Sequence, residues 1–250
     1  MTLSDQAWFW ITVAVSPIIG SFIGLAAVRM PERRAIAMAR SACDACGRTL
    51  QPFELVPIVS FIALRGRCRT CAARIPRGHL AIEILSLVAA IWAGLVHPGP
   101  MTMVSAVLAW QLLLLAALDI RSLWLPRVLT LPLIATGLVA AIPRAELANA
   151  ALGAAVGFAV MALLAALYRR LRGREGLGGG DAYLLAGAGA WVGWIGLPSV
   201  LLIASGAGLG TALLARLAGK PIASDQPIPF GAFLAFGAWI VWLYGPIGVY

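Results

Sequence analysis

The sequence predicts an all-α fold, a polytopic integral membrane bundle of about eight transmembrane helices, and three observations carry that prediction. Of 250 residues, 61% are hydrophobic and only 12% charged, with a mean hydropathy of +0.92, which is far from the composition of a soluble domain. Apolar segments long enough to cross a hydrocarbon core recur from end to end. Only residues 29–79 form a hydrophilic stretch large enough to fold outside the membrane.

The spans are expected at 8–28, 80–96, 101–118, 123–142, 147–168, 181–197, 199–217 and 230–249. This gives three regions: a first transmembrane helix (1–28), a loop module (29–79) and a membrane bundle (80–250). The first segment is expected to stay in place. It lacks a basic leader, carries Asp5 before its apolar run, and is followed at once by Arg29, Arg33 and Arg34, so it does not read as a cleaved signal.

Basic residues orient the bundle. Ten of the nineteen lie between Arg29 and Arg77 against three acids (Glu32, Asp44, Glu54), so that loop carries +7 of the net +9 and is expected in the cytoplasm. Eight alternating spans then leave Arg144 as the single basic residue outside. Arg121, Arg127, Arg169, Arg170, Arg172, Arg174, Arg216 and Lys220 fall inside. The net charge thus points to topology and to anionic lipid headgroups, not to nucleic acid.

The loop holds all four cysteines, as Cys43-Asp-Ala-Cys46 and, after twenty-one residues, Cys68-Arg-Thr-Cys71. Each short turn presents two thiolates on one side, and a tetrahedral zinc ion can join the two turns. Neighbouring arginines favour thiolate, the form that binds. Two disulfides or four free thiols are the alternatives, and a cytosolic setting argues against lasting disulfides. Four sulfur ligands leave no open position for water, so the reading is a small cytoplasmic zinc-binding loop domain in which Zn2+ is structural. With few large apolar residues, the loop would draw much of its folding energy from the ion.

Two carboxylates, Asp119 and Asp181, border apolar spans, and the second closes the run Gly176-Leu177-Gly178-Gly179-Gly180-Asp181. Charge at a bilayer edge is costly and rare without a task. The predicted topology puts both on the cytoplasmic side, where a pair sharing a proton could hold a water between an acid and a base, the chemistry of an aspartic protease. A proton- or ion-coupled transporter is the competing reading of two such acids. The glycines tip the balance, because they permit unusual backbone geometry and leave room for an extended peptide, so Gly178 and Gly180 are candidate substrate-binding residues. Glu83, one turn into the second span, either pairs with Arg74 or Arg77 or lines a polar cavity that meets the substrate. His79 and His97 read as interfacial residues, and Trp8, Trp10, Trp124, Trp194 and Trp242 as interface anchors. The runs Gly187-Ala-Gly189 and Gly206-Ala-Gly208-Leu-Gly210 suggest close helix packing.

Taken together these residues resemble the type IV prepilin peptidases, also called prepilin leader peptidase/N-methyltransferases, which include members from type II secretion systems. The resemblance runs almost end to end: Gly20-Ser-Phe22 with Arg29-Met-Pro31, then Pro57-Ile-Val-Ser60 and Leu64-Arg-Gly66 around the cysteines. It continues through Ile75-Pro76 leading to Glu83, Ala117-Leu-Asp119 with Leu125-Pro126, Glu175 to Asp181 with Gly189-Ala-Trp191, and Ile228-Pro-Phe-Gly231. The resemblance implies a membrane aspartic endopeptidase of the GxGD type that removes the leader of prepilins or pseudopilins on the cytoplasmic side of the bacterial inner membrane. It also implies N-methylation of the new N-terminal residue from S-adenosyl-L-methionine, with Asp119 and Asp181 as the catalytic dyad. A zinc-bearing pilus or secretion assembly factor without catalysis remains the third reading. Four departures stand out. The family's usual asparagine after the Gly-Ser-Phe region is replaced by the stretch Ile23-Gly24-Leu25, His79-Leu80 replaces an aromatic-proline pair, Arg127 replaces a common acid, and Tyr183 a common lysine. No glycine-rich strand-to-helix turn for a nucleotide-like cofactor is present in the sequence.

Overall fold

A computed structural model describes residues 2–36, 41–173, 178–219 and 228–248. The expected cytoplasmic residues Arg174 and Lys220 and the motif residues Glu175, Gly176 and Leu177 lie outside these. Eight helices make up the fold among the described residues: α1 (Leu3–Arg29), α2 (Val59–Ala63), α3 (Arg77–Val96), α4 (Pro100–Ser122), α5 (Arg127–Ala141), α6 (Leu147–Arg172), α7 (Gly179–Leu217) and α8 (Phe230–Tyr244). Six are long and apolar enough to cross a membrane, and α8 is a shorter apolar helix. The chain divides into two compact units, residues 1–114 and 115–250, with the boundary inside α4.

In the first unit α1 packs on α3, and the seam between them is made of small and hydroxylic residues. A Cβ on Gly20 would lie 2.8 Å from Ser86 Cβ and 2.9 Å from Glu83 Cα, so only glycine allows this approach. Beside it, the Ser86 hydroxyl donates to the Ser16 carbonyl at 2.7 Å. Thr12, Ser16, Gly20, Gly24 and Ala27 are buried, whereas Trp10, Ile11, Ile18 and Phe22 on the same helix are exposed. Large apolar side chains outward and small ones inward is the pattern of helices that associate by van der Waals fit within lipid.

The second unit is organised around the first half of α7, which packs on α5, α6 and α8. Gly187 receives Leu133, Gly137 receives Ala190 and Trp191, and Gly153 faces Gly189 backbone to backbone. The Trp191 indole N–H donates to the Leu133 carbonyl at 3.0 Å, which satisfies the one polar atom of a buried ring. The second glycine run behaves differently from expectation: Gly206 and Gly210 meet nothing within 4 Å among the described residues, and Gly208 only the Phe233 ring.

The sixth and seventh predicted spans both lie in α7, which is two helices joined across a kink at Gly193 and not at Pro198. Gly193 has φ 71° and ψ 172°, where a Cβ would also strike the Asn149 amide. A left-handed φ is open to glycine at little cost, so the helix breaks there.

Candidate active site and metal centre

Asp119 lies in the last turn of α4, which ends when Leu123 turns left-handed (φ 51°) and donates its N–H to the Asp119 carbonyl at 2.9 Å. Leu125-Pro126 then starts α5, with Pro126 as its N-cap. The Asp119 carboxylate is 5% exposed, and its Oδ2 accepts the Ala232 N–H at 3.0 Å. Gly231 N–H also points at it. These are free amides of the first turn of α8, so the acid caps a helix 113 residues away in sequence.

Asp181 occupies the first turn of α7 and is 6% exposed. Its Oδ2 accepts the Gly178 N–H at 3.0 Å, while its own N–H donates to the Gly178 carbonyl. Each carboxylate is therefore held at the positive end of a helix. Leu125 stands between their supports: a Cβ on Gly180 would lie 2.5 Å from Leu125 Cβ, and one on Gly231 would lie 2.7 Å from Leu125 Cδ1 and 2.9 Å from Asp119 Oδ2.

The glycines of the run are not equally constrained. Gly178 has φ −67° and ψ 139°, a conformation open to any residue, and a Cβ on Gly179 would meet nothing. Glycine is required at position 180 by the nearness of Leu125, and at 231 by the nearness of Asp119. Gly231 and Ala232 were not singled out as site residues from sequence. Only the run Ile228-Pro-Phe-Gly231 ahead of a helix marked the place, and nothing local ties it to Asp119.

Two departures from the family pattern turn out to touch each other. The Arg127 guanidinium lies over the Tyr183 ring, 4.9 Å from its centroid, and Phe158 meets the same ring edge-on at 5.1 Å. Where the family commonly has an acid and a lysine at these places, this chain has a cation–π pair. Gly24 and His79 also meet, since a Cβ on Gly24 would lie 3.0 Å from His79 Nδ1.

In the first unit the four cysteines converge. Their sulfurs all lie within 4.8 Å of one another, and Cys43 Sγ is 3.8 Å from Cys71 Sγ. Zinc bound to four thiolates at about 2.3 Å separates the sulfurs by about 3.8 Å, so the cluster fits a tetrahedral ion. The two knuckles repeat one design. Cys43 N–H donates to Arg48 and Gly47 N–H to Cys43, just as Cys68 N–H donates to Ala73 and Ala72 N–H to Cys68. Antiparallel bridges flank both, Ala42 with Thr49 and Arg67 with Arg74. Backbone N–H groups of Cys71 and Thr70 bring the Cys68 thiol down to about 6. At Cys71 the Ala73 N–H pulls the same way, but burial and the other three thiols prevail and push it up to about 11. Arg48 links this centre to buried Glu54, whose carboxyl the Gln51 N–H and Arg48 hold below the ordinary carboxylate range.

Glu83 is 8% exposed and pairs with neither Arg74 nor Arg77. Its Oε2 accepts the Ile58 N–H at 2.7 Å, tying α3 to the cysteine module. Glu83 also lines a cavity, as one of the two sequence readings required.

Residues 14–96 match the model of the bacterial peptidase A24 N-terminal domain, and residues 106–213 that of the type IV leader peptidase family. A protein of Burkholderia pseudomallei named prepilin leader peptidase/N-methyltransferase is 40% identical over 86% of this chain and 71% of its own length. The chain belongs to the type IV leader peptidase family. Relatives with the same printed name occur in Aeromonas salmonicida, at 38% identity over 86% of this chain and 74% of the relative, and in Pseudomonas aeruginosa, at 36% over 94% and 89%. No solved structure matches the chain.

Proposed function

We propose that this chain removes the leader peptide of type IV prepilins or type II secretion pseudopilins and methylates the exposed N-terminal amine, with Asp119 and Asp181 as the hydrolytic pair. The observation that carries this reading is the pair of buried carboxylates, each fixed by helix-terminal amides and both set around Leu125, in a member of the leader peptidase family. Two carboxylates so placed cannot both ionise freely, so one keeps a proton. The ionised member takes a proton from a water, which attacks the scissile carbonyl. The protonated member donates to the carbonyl oxygen, and the member that took the water's proton passes it to the leaving amine; as the tetrahedral intermediate collapses, its hydroxyl returns a proton to the first acid. The proton belongs to the pair, and neither acid owns a role in isolation. Gly178 and Gly180 border the path of the peptide.

Both acids stand in end turns of their helices and not at mid-span. This suits hydrolysis, which consumes water, better than it suits an ion pathway through the bilayer centre. The positive charge of residues 29–77 orients the chain with the four-cysteine module and both acids at the cytoplasmic face of the bacterial inner membrane, against anionic headgroups. Zinc in that module is structural, its four sulfurs filling the coordination sphere. S-adenosyl-L-methionine supplies the methyl group.

The test is the intact mass of a prepilin coexpressed with wild type, Asp119→Asn or Asp181→Asn. Wild type should yield the leaderless, methylated mass. Normal processing by either variant would remove that acid from the mechanism.

A further inference from the structure

Within the first unit, the C-terminal half of α1, the cysteine module and the first turns of α3 line a half-open cavity of about 480 Å3. That is the size range of small-ligand sites. Three charged side chains on its wall are almost fully buried, Arg29, Glu54 and Glu83, at 7%, 7% and 8% exposure. Arg48 answers Glu54. Arg29 and Glu83 have no ion-pair partner among the described residues. The Arg29 guanidinium donates to the Ala35 carbonyl at 3.2 Å, and Glu83 accepts only the Ile58 N–H. An uncompensated buried charge is costly, and here there is one of each sign on a single cavity wall. A ligand carrying both an anionic and a cationic group would satisfy them together.

The backbone at Glu83 adds a second observation. Ile58 has φ 63° and ψ −54°, and Val59 N–H donates to the Pro57 carbonyl at 2.6 Å. This is a γ-turn of the rare, strained hand, centred on a β-branched residue. The strain persists because Glu83 holds the Ile58 N–H, so the module is braced against the carboxylate that faces the cavity. Phe22, Phe61 and Leu80 supply apolar wall.

We infer that this cavity binds S-adenosylmethionine, with the amino-acid carboxylate at Arg29, the cationic groups at Glu83, and the nucleoside against the apolar wall. The inference rests on the methyltransferase half of the proposed function. It gives that half a site in a chain without a glycine-rich nucleotide loop, and it makes the cysteine module part of the wall, since Cys43 and Cys68 border the cavity.

The test uses the full-length, zinc-loaded protein in detergent, titrated calorimetrically with S-adenosylhomocysteine and with 5′-methylthioadenosine, which shares the nucleoside and thioether but lacks the amino-acid head. Wild type should prefer the first by about tenfold or more, as expected for charge-assisted hydrogen bonds. Arg29→Gln and Glu83→Gln should erase that preference while leaving the affinity for methylthioadenosine unchanged. Glutamine at 83 can still accept the Ile58 N–H, so the brace survives. A preference intact in both variants overturns the inference, and so does an equal loss of both ligands with zinc content unchanged. Should the variants fail to fold, an 8-azido derivative of S-adenosylmethionine photolabels the wild type. Label in peptides from 21–83 supports the site, and label confined to 115–250 overturns it. Methylation of a prepilin with label elsewhere removes the cavity assignment alone, whereas absence of both methylation and binding removes the methyltransferase reading with it.

Discussion

Asp119 accepts the N–H of Ala232 at 3.0 Å across 113 residues of sequence, so the position of one acid is set by the helix that ends the fold. Asparagine offers an oxygen in the same place and can keep that bond, and the same holds for Asp181 with Gly178. Asp119→Asn and Asp181→Asn should therefore fold, yet each should slow leader cleavage by at least about 10²-fold, because proton transfer is lost. The double variant should be little worse than either single one, since the two acids act as a unit. A time course of intact prepilin mass measures all three.

The glycines near the pair are unequal, and this gives a graded test. Gly180→Ala would drive a Cβ into Leu125, and Gly231→Ala would press on Asp119 Oδ2. A displacement of about 1 Å at a reacting group can cost about 10²-fold, so cleavage should fall by that order in both. Gly179→Ala meets nothing and should cleave at the wild-type rate. Equal behaviour of the alanines at 179 and 180 would show that chain flexibility, not the Leu125 contact, is what the run provides.

Much of this arrangement is legible in the sequence, and what is not has a common cause. Hydropathy locates the spans, and spacing alone places the four cysteines around one point, because both signals are local. The partners of the acids are not local: nothing near Asp119 names Gly231 or Ala232, and nothing near Glu83 names Ile58. The break in α7 is misplaced from sequence because Pro198 is the stronger textual signal, while the actual site is chosen by the approach of Asn149 to Gly193. Departures from a family pattern read singly as losses. Tyr183 and Arg127 become intelligible only when seen in contact.

That contact predicts a compensated exchange. Tyr183→Lys alone would set two cations side by side next to the acid pair, and Arg127→Asp alone would strip Tyr183 of its partner. Each should slow cleavage. The double variant recreates an acid–lysine pair and should recover to within about threefold of wild type, with a coupling of about 0.5–1 kcal/mol in a double-mutant cycle on thermal stability. Strict additivity would mean that the two residues do not communicate.

The twin knuckles of the metal centre carry one asymmetry that can be measured. Gly47 and Ala72 hold the same place after Cys43 and Cys68, and both are left-handed, with φ 69° and 58°. Glycine takes that conformation freely, whereas alanine is strained there by about 1–2 kcal/mol. Because the module has little apolar core, metal binding and folding are one equilibrium, and backbone strain is felt as weakened metal affinity. Ala72→Gly should thus tighten zinc by about fivefold in competition with a chelator, less whatever the added glycine costs in unfolded-chain entropy. Gly47→Ala should weaken it by a similar factor. Elemental analysis should return one zinc per chain for wild type and both variants, and a substantially lower figure for Cys43→Ser or Cys68→Ser. Opposite signs at the two equivalent positions would identify strain relief as the cause, since any general effect of changing the loop would move both the same way.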